Sequence, residues 1–158
     1  MKNTTFLLLG LFVGMQLNAQ VLFSESFNDV PGLTGWDIVN VSTTIGSTDW
    51  FQGTSTTFPA QAGEPFAYIA ANFNATTGTN TINNWLITPV INLSNDDVIK
   101  FYTRTSNANF PDRLEVRISE LGASSTNPVN DSDVGSYTNL QLSINPSLLV
   151  GGYPDTWE

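Results

Sequence analysis

Residues 112–119 alternate with a period of two: Leu114, Val116 and Ile118 fall on one side, and Arg113, Glu115 and Arg117 on the other. That is the pattern of a half-buried strand, and it excludes a helix, whose apolar positions recur every three or four residues. Residues 137–144 repeat it, with Leu140, Leu142 and Ile144 set against Asn139, Gln141 and Ser143. In residues 97–105 Ile99 and Phe101 are expected to face the core, with Lys100, Tyr102 and Arg104 outward. Residues 66–73 and 85–88 are more apolar, as central strands are. Pro89 cannot donate to a ladder, so the strand holding Trp85 should break there. Asn, Ser and Thr are abundant, and no amphipathic helical stretch of useful length occurs. Short β-type runs punctuated by Gly, Pro, Asn and Asp predict an all-β chain, an antiparallel β-sandwich or barrel. Residues 53–63, 74–84 and 120–135 are polar and read as long loops.

The first residues carry an address. Lys2 supplies a positive start, residues 6–17 are apolar apart from Gly10, Gly14 and Gln16, and a small residue, Ala19, follows. This is the layout of a secretory signal peptide over residues 1–19, cleaved after Ala19. The apolar run is only about a dozen residues, against the roughly 20 that a membrane-spanning helix needs. The expected destination is secretion or the cell surface, with residues 20–158 as one domain and no membrane insertion.

Composition narrows the chemistry. The chain has no Cys and no His, so it can build no disulfide, no thiol nucleophile, no His-based triad and no ordinary zinc site. A metal would have to be held by oxygen, which points to calcium. With Lys2 removed, 14 acidic residues face four basic ones and the net charge moves from −9 to −10. Such a field repels nucleic acid and anionic lipid. No motif selects the pair of carboxylates that glycoside hydrolysis requires.

Several segments together resemble a known family. Asn84-Trp85-Leu86-Ile87-Thr88-Pro89 with Ile91 and Leu93, followed by the strand at residues 113–119, is similar to the central block of the cleaved-adhesin and choice-of-anchor J family of secreted bacterial modules. Leu22 to Phe27 with Gly35-Trp36 resembles that family's opening strand and tryptophan, and Asp49-Trp50-Phe51 its next aromatic marker. The resemblance implies a jelly-roll-like sandwich, often with structural calcium, working as an adhesin-like or carbohydrate-binding-like part of a larger secreted protein. The family's closing strands have no counterpart after residues 153–158, which read as the lead into another strand; the C-terminal strands are therefore expected to be missing.

Candidate sites follow. Strict alternation puts Glu25 on the face of Phe23 and Phe27, where an unpaired carboxylate is costly. Either calcium neutralises it, with Asn28 and Asp29 adding oxygens, or a bulge turns it to solvent, or an arginine pairs with it. Asp131 and Asp133 have calcium-loop spacing but lack the rest of an EF-hand, and are expected to be turn residues. Aromatic faces for a ligand would come from Trp50, Tyr102 and Tyr153. The reading that results is a non-catalytic, calcium-stabilised adhesin-like module that binds a glycan or an extracellular protein, host or matrix. The rivals are a structural accessory domain of a larger secreted protease or hydrolase, partnered by other domains of the same polypeptide, and a glycan-active enzyme.

Overall fold

The computed structural model describes residues 20–158; the expected signal peptide, residues 1–19, lies outside the described residues. The chain is all-β. Its strands are β1 (Asp37–Asn40), β2 (Phe51–Gln52), β3 (Ile69–Ala70), β4 (Asn84–Ile87), β5 (Leu114–Ile118) and β6 (Asn139–Ile144), with three short 3₁₀ turns and no α-helix among the described residues. They form three antiparallel two-stranded ribbons, β1–β4, β2–β3 and β5–β6, an arrangement compatible with a sandwich. No described helix is long and apolar enough to cross a membrane.

The β1–β4 ribbon pairs Ile38 with Leu86 and Val39 with Trp85, and β4 ends before Thr88-Pro89, where the proline stops the ladder. Beyond Asn40 the pairing continues through loop backbone: Val41 N–H donates to Asn83 O at 3.0 Å and Thr43 N–H to Thr81 O at 3.1 Å. The β5–β6 ribbon holds the two runs of strongest alternation. A bulge between Val116 and Arg117 places Leu142 opposite Val116 but Leu140 opposite Arg117. Directly opposed residues share a face, so the extra residue, Gln141, separates Leu140 from the face of Leu142 and Ile144 that alternation assigns it.

Two other expectations are corrected. Residues 97–105 form no regular strand: Thr103 exchanges both backbone hydrogen bonds with Glu158, at 3.0 and 3.2 Å, while Ile99 and Phe101 are exposed. The opening segment, residues 22–27, is not a strand either. Phe23 and Phe27 instead pack on Trp36, with ring centroids 5.8 and 5.5 Å away.

Much of the fold is held by side-chain amides. Gln52 Oε1 accepts from Val30 N–H at 2.8 Å, while Nε2 donates to Phe27 O at 2.8 Å and Phe66 O at 2.7 Å, with Tyr68 O at 3.3 Å. Asn40 Nδ2 donates to Thr48 O and Ala75 O, at 2.9 and 2.8 Å, and its Oδ1 accepts from Ser42 N–H. Near the other end, Asn145 Nδ2 donates to Asp112 O and Leu149 O while its Oδ1 accepts from Leu149 N–H. The terminal aromatic, Trp157, meets Phe58 and Tyr68 edge-on and donates from Nε1 to Pro59 O at 3.0 Å.

The Gln52 amide gives a direct test. Gln52→Leu strands the Val30 N–H and the Phe27 carbonyl, each worth about 1–3 kcal/mol when left unpaired and partly buried, while Phe66 O keeps its bond from Tyr68 N–H, so a loss of about 3 kcal/mol is expected in urea unfolding. Gln52→Glu should not rescue it, because a carboxylate can accept from Val30 but cannot donate to the carbonyls of Phe27 and Phe66.

Candidate functional site

The residues expected to form a site occupy different surroundings. Glu25 is exposed; its Oε1 accepts from Phe27 N–H at 2.8 Å. Phe27 has a φ of 53°, a left-handed conformation that breaks the alternation on which a core-facing Glu25 depended. The Glu25 carboxylate is turned to solvent and not to the core. Asn28 Nδ2 donates to Ser26 Oγ at 2.8 Å, and Asp29 caps the 3₁₀ turn Val30–Gly32, its Oδ1 accepting from Gly32 N–H at 3.2 Å.

The three aromatics differ in setting. Tyr102 is exposed, with Lys100 Nζ 5.5 Å from its ring centroid. Tyr153 is only 8 % exposed and its hydroxyl lies 2.5 Å from Thr103 Oγ1, so it offers no ring face to a ligand. Burial raises its pKa above the ordinary tyrosine value, against the lowering effect of the Thr103 hydrogen bond. Trp50 alone lies in a concavity.

That concavity is an open cleft of about 340 Å³. The turn after Asp29 supplies Val30, Pro31 and Leu33, the entry into β1 supplies Trp36 and Ile38, and the entry into β2 supplies Trp50 and Gln52. Local sequence builds it simply: Asp29 caps the turn and Pro31 fixes φ inside it. Gln52 then ties Val30 down. Trp36 is braced from behind by Phe23 and Phe27. No charged side chain lines the wall. The polar atoms of Gln52 are engaged with backbone, and the Trp50 indole N–H is buried without a partner. The cleft therefore offers apolar and aromatic contact with little polar recognition. Val30, Pro31, Leu33 and Ile38 escaped the sequence reading because no periodicity joins them; only the Asp-Val-Pro-Gly run, a turn signal, marked the place.

The loop acids are structural. Asp133 accepts from Val129 and Gly135 N–H, each at 2.9 Å, and those backbone bonds, the Gly135 bond first, lower its pKa. Asp131 takes a hydrogen bond from Thr43 Oγ1 on one of its carboxylate oxygens, and its backbone carbonyl accepts from Asn83 Nδ2 at 2.9 Å, so it joins the loop after β1 to the loop before β4. Glu115 is bridged by Arg113 at 3.4 Å and Arg117 at 2.7 Å along its own strand. Among the described residues Arg104 pairs with no acidic side chain, and it stacks over Phe58, 4.4 Å from the ring centroid.

Residues 20–138 match the family model described as Cleaved Adhesin Domain. The chain belongs to that family. No curated protein and no solved structure matches it.

The Tyr153 environment predicts an alkaline limit. A tyrosine whose folded pKa is raised contributes stability that is complete below the unfolded value, about 10, and is lost as pH climbs through the folded one. In absorbance titration at 295 nm Tyr153 should ionise above the ordinary tyrosine range, and Thr103→Val, which removes the bond that favours the phenolate, should move it higher still.

Proposed function

We propose that this cleaved-adhesin module is displayed or released outside the cytoplasm and works by attachment to a glycan or an extracellular protein, not by bond-breaking. Family membership over residues 20–138 is the observation that carries this reading. The chemistry of the chain supports it. Without Cys or His there is no thiolate or imidazole to act as nucleophile or base near neutral pH, and no carboxylate lines the cleft walled by Trp36 and Trp50. The net charge of −9 supports solubility at the cell surface and disfavours nucleic acid as the partner.

Adhesion of beads coated with the secreted protein to immobilised glycans and to collagen, fibronectin and mucin checks the proposal. Saturable capture that soluble domain competes away is the expected result. Hydrolysis of a glycoside or peptide panel by the purified domain would replace attachment with catalysis. Failure to adhere to any of these surfaces would favour an accessory role beside another domain of the same polypeptide.

Calcium belongs to the same proposal as a stabiliser. With Oε1 of Glu25 and Oδ1 of Asp29 engaged by backbone, the second oxygen of each carboxylate and the Asn28 carbonyl remain for a hydrated cation. Among the described residues no three acidic side chains converge as a preformed cage would require, so the affinity expected is that of weak extracellular sites, a Kd of about 1 mM. At 10 mM calcium that corresponds to about 1.4 kcal/mol, or roughly 4 °C in Tm. Scanning calorimetry with calcium and then with chelator should show that difference, and Glu25→Gln should remove it; identical midpoints would dismiss the ion.

A further inference from the structure

The cleft at Trp50 sits in an unusual electrostatic setting. Between Gln20 and Ile99 the chain has no Lys or Arg, whereas Glu25, Asp29, Asp37, Asp49, Glu64, Asp96 and Asp97 are acidic; every basic residue of the described chain lies at Lys100 or later. Three of these acids adjoin the cleft wall in sequence. Asp29 precedes Val30, Asp37 lies between Trp36 and Ile38, and Asp49 precedes Trp50. All three are exposed. Asp37 alternates to the opposite face of β1 from Ile38, so it acts on the cleft through its field and not by contact. The Asp49 side chain makes no ion pair among the described residues.

These two properties select a ligand. A sugar is held by several convergent polar groups around an aromatic platform, but here the amide of Gln52 is already committed to backbone and the Trp50 N–H is buried. An apolar side chain needs no such groups. It gains by leaving water against Pro31, Leu33, Trp36 and Trp50. Lysines or arginines on either side of it would meet a surface of uncompensated carboxylates within about one Debye length. Resting on the attachment reading above, we infer that the Trp36–Trp50 cleft takes an apolar side chain presented by an extended, basic segment of an extracellular protein, and is not a sugar site.

A fluorescent six-residue peptide with Phe-Leu between paired lysines is the probe. Fluorescence anisotropy should show saturable binding to the secreted protein, weakened at least about tenfold by Trp50→Ala and several-fold between 50 and 500 mM NaCl, since screening shortens the reach of the acids. Asp49→Lys, at an exposed position, should weaken the peptide without changing the melting temperature, which separates loss of recognition from loss of fold. Equal binding of a peptide with Gly-Gly between the lysines would mean a charge effect only and overturn the inference. So would equal binding when glutamates replace the lysines, or no binding of the Phe-Leu peptide at all. Oligosaccharide capture that Trp50→Ala abolishes would also overturn it, yet leave the attachment function standing; adhesion that persists unchanged in Trp50→Ala would place attachment elsewhere on the domain.

Discussion

The carboxamide of Gln52 holds together parts of the chain that no sheet joins. Its strand, β2, is two residues long and pairs only with the two residues of β3, far short of a ribbon that is stable alone. Through one side chain, that short ribbon gains the backbone of Phe27, Val30 and Phe66. Asn40 does the same for the turn at Thr48 and the 3₁₀ segment ending at Ala75, and Asn145 for Asp112 and Leu149. A partly buried loop must satisfy its peptide groups somewhere, and amide side chains supply both donor and acceptor at a distance a backbone cannot reach. The wealth of Asn and Thr, read from sequence as loop filler, is in part the cement of the fold.

This explains which parts were legible beforehand. β5 was readable because its residues alternate with a period of two, and β4 because an apolar run ends at Pro89, which cannot continue a ladder. β6 was readable as a strand but not in its facing, since a single extra residue at Gln141 leaves the composition unchanged while altering the pairing. Residues 22–27 and 97–105 carry the right residue types and still make no strand. In the first, the left-handed Phe27 redirects the chain onto Trp36. In the second, Thr103 finds its partner at Glu158, a pairing separated by about a third of the chain and without local signal. The site suffered the same fate. Tyr153 was expected to be displayed and lies buried on Thr103, whereas Trp50 was expected to be displayed and does line a cleft, because its neighbours across space, not in sequence, decide exposure.

Charge is the property that sequence read only in total. A net charge of −9 says that the molecule is acidic; it does not say that all the basic residues of residues 20–158 lie beyond residue 99. The structure gives that asymmetry meaning, because Arg113 and Arg117 are consumed by Glu115 on β5 and Arg104 by the ring of Phe58. Among the described residues the acids around the 3₁₀ turn, β1 and β2 have no cationic partner, so their field extends into solvent around an uncharged wall. Steering by the rim and contact by the floor are then separate terms, the first governing encounter and sensitive to salt, the second governing residence.

The thinness of the core bears on what binding can do. Among the described residues the buried apolar positions are Val30, Tyr68, Ala75 and Tyr153, and no large side chain is fully enclosed. Val30 is both a core residue and part of the cleft wall, held by Gln52, and Tyr68 is held from the other side by Thr54, with which it exchanges hydrogen bonds at 2.7 and 3.0 Å. The cleft thus shares Val30 with the buried apolar positions. A ligand that seats there extends the core outward, and because it binds only the folded arrangement of Val30, Trp36 and Trp50, its binding free energy adds to the stability of the elements that form them. In a domain whose interior is so shallow, recognition and folding draw on the same contacts.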